Sequence, residues 1–171
     1  MHKLLTYLLI SFVPLSVFSQ DKYFKLPEAK THKPTYIFNK KIIGSELLMK
    51  RLGSSEEEIL KKVNEISVLK DKQSREFNDY YNLTEQGILF VDLKEKPISK
   101  SQSELNDFFG LNKQNEIYID GYLLESKKYR ISLTGVTEIE IVEPDNINGL
   151  KSRVLNIWTL AKSERYMETT N

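Results

Sequence analysis

The segment Ile88-Leu89-Phe90-Val91-Asp92-Leu93, led by Gly87, constrains this chain more than any other. In an extended strand successive side chains point to opposite faces, so its apolar residues occupy both faces over most of its length. A strand of that kind belongs inside a sheet covered on both sides. It is the most buried strand that the sequence predicts, and it requires further layers of structure around it. At 171 residues the chain suits one domain of ordinary size. A chain of that length buries roughly 70% of the surface that its unfolded form exposes. It has no cysteine, which excludes disulfides, thiolate metal sites, cysteine nucleophiles and lipid-modified cysteines.

Residues 1–19 read as a cleavable signal peptide. Lys3 charges the start and Leu4 to Val13 form the apolar middle. Val17 and Ser19 are slim residues at the positions three and one before a cut between Ser19 and Gln20. A membrane anchor needs about 20 apolar residues; this run is shorter and is interrupted by Thr6, Ser11 and Pro14. The remainder is therefore expected to be periplasmic or extracellular, without a membrane span. Lys and Arg total 25 against 24 Asp and Glu, and removal of Lys3 makes the two equal. No basic surplus is left to displace counterions from phosphates, so nucleic acid is not an expected partner. His2 leaves with the signal. His32 then stands alone in an approach segment, 20–33, where it reads as a linker residue without companion ligand or nucleophile. No metal or cofactor is expected; Asp120 and Asp145-Asn146 do not form a calcium loop and read as turn residues.

The rest alternates between strand and helix signals. Thr35 to Phe38 and Ile42-Ile43 predict a hairpin-like corner. Ser45 caps a helix through Leu52, with Lys50 and Arg51 in its last turn and Gly53 as a left-handed residue beyond it. Ser55 and Glu58 have the offset of a capping box, and Ile59, Leu60 and Val63 form a stripe at helical spacing. Glu65 to Leu69 alternates, which marks a strand with one buried face. Phe77, Tyr80 and Tyr81 predict a short amphipathic helix between Asp71 and Asn82. Ser101 and Glu104 form another capping box, and Leu105, Phe108 and Phe109 give the next helix its core face, ended by Gly110. Glu116 to Gly121 is a strand running into a turn, from which Tyr122 to Leu124 returns. Glu125 to Gly135 carries no clear element. Thr137 to Val142 alternates acid with aliphatic, the pattern of one wet and one dry face, until Pro144 stops it. Val154 to Leu160 is the closing strand, and the polar tail 161–171 is expected to fray.

The strand signals occur twice in the same order. Tyr36-Ile37-Phe38 overlays Tyr118-Ile119-Asp120, Ile66-Ser67-Val68 overlays Ile139-Glu140-Ile141, and Ile88-Leu89 overlays Val154-Leu155. The expected fold is α+β: small mixed sheets with short helices, in half-units over 34–95 and 101–160. Either half alone is marginal in size, so one shared core is expected.

The first half also resembles the plug domain of TonB-dependent outer-membrane receptors and its stand-alone relatives in Bacteroidetes-type bacteria. Pro34-Thr35-Tyr36-Ile37-Phe38 is similar to that family's strand opening, and Ile66-Ser67-Val68-Leu69-Lys70-Asp71 to its I-x-V-L-K-D strand end. Tyr80 or Tyr81 followed by Gly87 to Val91 resembles its tyrosine and glycine-led strand. In the second half, Ile117-Tyr118-Ile119-Asp120-Gly121 is similar to its aspartate-glycine turn, whereas Glu143-Pro144-Asp145 departs from the pattern. The resemblance implies the plug scaffold; a fold does not carry a function with it. A barrel of 22 strands with about 9 to 11 residues each lies beyond this chain length.

Two classes of function follow, with a third beside them. The first is a non-catalytic protein–protein interaction module of the cell envelope, docking on an envelope protein, through an edge strand for example. Tyr118, Tyr122 and Trp158 are its candidate anchors, because aromatic residues dominate binding hot spots; core packing is the competing reading for Trp158. The second is a periplasmic hydrolase using two carboxylates, for which Glu138 and Glu140 share one strand face, although a solvated face explains them more simply. The third is small-ligand capture between the halves.

Overall fold

The computed structural model describes residues 23–29, 33–70 and 79–165. The expected signal peptide, His32, residues 71–78 of the expected aromatic helix and the tail beyond Arg165 lie outside the described residues. The fold is α+β. In chain order it comprises β1 Thr35–Phe38, β2 Ile42–Gly44, α1 Glu46–Leu52, α2 Glu56–Lys62, β3 Val63–Leu69, β4 Ile88–Leu93 and β5 Lys100–Ser101. There follow α3 Gln102–Phe108, β6 Ile117–Ile119, β7 Tyr122–Leu123, β8 Arg130–Ile131, β9 Glu138–Val142, β10 Val154–Trp158 and α4 Lys162–Arg165. Short 3₁₀ turns span Tyr81–Gln86 and Leu133–Gly135.

The strands form a six-stranded sheet, β3-β4-β1-β2-β8-β5, and a four-stranded sheet, β7-β6-β10-β9. Read from its other end, β9-β10-β6-β7 repeats the order β3-β4-β1-β2. The strand senses repeat too. β1 with β4 and β6 with β10 are parallel, and the flanking pairs are antiparallel. The registers equate Ile66-Ser67-Val68 with Ile139-Glu140-Ile141 and Ile88-Leu89 with Val154-Leu155.

The first strand departs from the sequence overlay by one residue. Asn39 donates its N–H to the Val91 carbonyl as Asp120 does to that of Ile157, and both turn residues have positive φ, 45° and 50°. Phe38 therefore corresponds to Ile119, and Tyr36 to Ile117 rather than Tyr118. A slip of one residue exchanges the two faces of a strand, so the correction decides how the halves stack. Phe38 and Val91 lie under α1 and α2 with Ile42 and Leu48. Their counterparts Ile119 and Ile157 instead pack between the sheets against Ile37, Ile43 and Ile88. The halves are thus stacked the same way up, and one apolar layer is common to both. A third layer, Leu26, Tyr118 and Val154, covers the outer face of the four-stranded sheet.

Other departures have local causes. Gly53 is extended, with φ −179°; it is needed because a Cβ there would lie 2.4 Å from that of Glu58. In α3 the inward face is Gln102, Leu105 and Asn106 with Phe109 next on the same side, which leaves Phe108 82% exposed. Tyr80 and Tyr81 sit at a 3₁₀ turn. β8, in the segment without a clear signal, pairs with β2, and β5 pairs with β8. All five residues of β10 are buried, whereas β4 is only partly so, and β10 is the more deeply buried strand.

Both ends of the chain do more than the sequence predicts. In the approach segment, Leu26 donates its N–H to the Gly121 carbonyl at 2.8 Å, and Leu123 donates to that of Phe24 at 3.0 Å. Leu26 and Ala29 are buried there. Residues 23–29 form a strap over the open edge of β7. Beyond β10, α4 brings Arg165 back onto the sheet, where it is 5% exposed. That part of the tail is packed because its guanidinium stacks on Trp158 and pairs with Glu138.

The α3 capping box gives a measurable signature. The Glu104 carboxylate accepts from Ser101 N–H and Oγ, both at 2.7 Å. These bonds, with Lys100 and Arg130 nearby, hold its carboxyl at about 2 against an ordinary 4.5. A folded value below the unfolded one means that the contribution is present above 4.5 and is lost as pH falls through about 2. A carboxyl NMR titration is expected to place the Glu104 midpoint near that lower value. A midpoint at the ordinary value would show that the box is open in solution.

Candidate functional site

The candidate anchors Tyr118, Tyr122 and Trp158 are all buried within the chain itself. Tyr118 lies in the outer apolar layer, and burial pushes its hydroxyl up to about 12. Tyr122 donates its hydroxyl to the Glu85 carboxylate, and burial raises its pKa as well. Trp158 donates Nε1–H to Glu140 at 3.0 Å, and the Arg165 guanidinium lies 4.1 Å from its ring centroid. None of the three is presented to a partner. The strap and α4 that cover this face carry little apolar periodicity, so sequence reasoning could not foresee the cover.

The carboxylates are also engaged by separate partners. Glu138 pairs with Arg165 at 2.8 Å and Lys162 at 3.5 Å, which lowers its pKa. Glu140 accepts from Trp158 and from Asn156 Nδ2. Asp145 accepts the N–H groups of Ile147 and Asn148, both at 2.7 Å, as a loop turn does. Asp120 is 6% exposed and accepts from Thr159 N–H at 2.7 Å and Oγ1–H at 2.6 Å. Burial raises its pKa against the opposing hydrogen bonds. Among the described residues no group of three or more His, Cys, Asp or Glu is placed to hold a metal ion.

A cavity of about 270 Å³ opens on the outer face of the four-stranded sheet, rather than between the halves. Leu26 and Ala29 of the strap form one wall, Asp145 the other, and Glu140, Asn156 and Trp158 the floor. The floor groups already hydrogen-bond one another or the backbone: Asn156 Oδ1 accepts from Gly121 N–H at 2.9 Å.

The other distinctive surface is the outer edge of β3. This seven-residue strand ends the six-stranded sheet. Its sequence alternation reads as one buried face, yet Ile66 is 48% and Val68 55% exposed. α1 and α2 cover the sheet over Phe38 and Val91 and leave these two open. The remaining edges are blunted in ways that proteins use against unwanted pairing. β7 is covered by the strap, β5 has two residues, and β9 carries Glu138 and Glu140 and stops before Pro144. The edge of β3 has only Glu65 and a bulge between Val63 and Glu65.

The chain has no significant match to a protein-family model, a curated protein or a solved structure. The plug resemblance therefore stands on its motif residues alone. No helix among the described residues is long and apolar enough to cross a membrane.

Proposed function

We propose that this chain is an exported, plug-domain-like and non-catalytic protein–protein interaction module of the cell envelope that docks by strand addition at β3. One observation carries the reading: among the described residues the outer edge of β3 pairs with no strand, and it carries two exposed aliphatic side chains on one face. Strand addition uses these two elements, main-chain hydrogen bonds for affinity and alternate side chains for specificity. Ligand capture is the weaker reading, because the polar groups on the cavity floor are already engaged with each other and with the backbone. A two-carboxylate hydrolase is weaker still, since Glu138 and Glu140 are held by Arg165 and Trp158.

The test is a photo-crosslinking residue at position 66 in the intact producing cell, with position 141 on the blunted β9 edge as the comparison. Discrete adducts are expected from position 66 and none from position 141, and Val68→Pro is expected to remove them by deleting an outward N–H of the strand edge. Equal labelling from both positions, or none from either, would defeat the docking reading.

A further inference from the structure

The backbone of β3 states which of its groups face outward. The Leu69 carbonyl oxygen lies 3.1 Å from where a Cβ on Gly87 would stand. It therefore points at β4, where Ile88 is its partner. In an antiparallel ladder the N–H and C=O of one residue turn to the same neighbour, and the direction alternates along the strand. Ser67 thus also turns its backbone to β4, while Ile66 and Val68 turn theirs to the open edge. The bulge lies before this stretch, and the register from Glu65 to Leu69 is continuous.

We infer that the segment that fits this edge is β3 of a second copy of the chain, antiparallel, about a two-fold axis through Ser67. This rests on the docking reading above and names its occupant. In that register Ile66 of each chain faces Val68 of the other, and the outward N–H and C=O groups of both residues are satisfied across the junction. Facing positions in an antiparallel pair lie on one side of the sheet, so the four exposed aliphatic side chains form one continuous row. Glu65 faces Leu69, and within β3 no like charges oppose. Moving the axis to Ile66 sets Val68 against Asn64 at the bulge, and moving it to Val68 sets Ile66 against Lys70. The sequence of β3 therefore favours the Ser67 register over both neighbours. A junction of one strand from each chain is small among protein interfaces, so the association is weak and is best trapped covalently.

The absence of cysteine makes the trap clean. Ser67 faces itself in a non-hydrogen-bonded pair, where Cα atoms lie about 4.5 Å apart, within the reach of a disulfide. The purified Ser67→Cys chain, oxidised at high concentration, is expected to form a disulfide-linked dimer. Glu65→Cys sets its two thiols four positions apart along the strands, on the order of 13 Å. It is expected to cross-link at least about tenfold more slowly, being beyond disulfide reach. Adding Ile66→Lys to Ser67→Cys is expected to suppress the dimer with far-UV circular dichroism unchanged, which separates pairing from folding. Equal rates for the two cysteine variants, or a Ser67→Cys chain that stays monomeric, would overturn self-pairing. If foreign adducts still formed from position 66 in cells, docking at β3 would survive with a different occupant; if none formed, both readings would fall together.

Discussion

Replacing Trp158 by alanine lowers the unfolding free energy by about 4 kcal/mol, the range for removing a large aromatic side chain from a packed interior. The indole is 2% exposed in a strand whose five residues are all buried. Its loss opens a void between β10 and α4 and removes the surface on which Arg165 stacks. It also leaves Glu140 without the indole N–H donor. Trp158→Phe keeps part of the packing and is expected to cost about half as much. Urea unfolding followed by far-UV circular dichroism measures both, since the alanine variant has no tryptophan emission. A partner anchor would behave differently. It would leave stability unchanged and weaken docking, so an alanine variant as stable as the parent would restore Trp158 as a binding residue.

The contrast between Trp158 and Ile66 marks the boundary of what the sequence could reveal. Alternation of apolar residues reports which side chains share a face, and does so correctly for both halves of the chain. It does not report whether anything covers that face. Ile66 and Val68 alternate as well as any buried strand, yet they lie beyond the reach of α1 and α2. Trp158 and Tyr118 lie on an outer face that would be open, had the strap and α4 not returned to it. Local signals were read best where the chemistry is short-range. The Ser101–Glu104 capping box and the Asp120–Gly121 turn are each complete within a few residues. β5 and β8 were illegible because two residues are too few for a period to register. Helix α3 shows an intermediate case: its cap and end were legible, but Phe108 and Phe109 are adjacent, and only the inward face chosen by Leu105 and Asn106 separates them.

The second large effect concerns Asp120. Asp120→Ala is expected to cost about 3 kcal/mol, because Thr159 N–H and Oγ1–H lose their acceptor in a buried site and alanine must enter the left-handed region. Asp120→Asn is expected to cost less than about 1 kcal/mol. The first half supplies the reason. Asn39 occupies the corresponding turn position at positive φ, and its side-chain amide reaches the neighbouring strand end, donating to the Leu93 carbonyl at 2.7 Å. Both variants also differ from the parent in pH behaviour. Burial raises the folded pKa of Asp120 above its ordinary 3.8. The stability linked to its proton is therefore fully present below 3.8 and is lost as pH rises through the raised folded value. Asp120→Asn cannot titrate there, so it gains on the parent as pH rises. Urea unfolding followed by the emission of Trp158, the single tryptophan, at low and neutral pH reads both effects. An asparagine variant as damaged as the alanine variant at each pH would mean that the negative charge itself is required, and that the two turns are alike in backbone but not in chemistry.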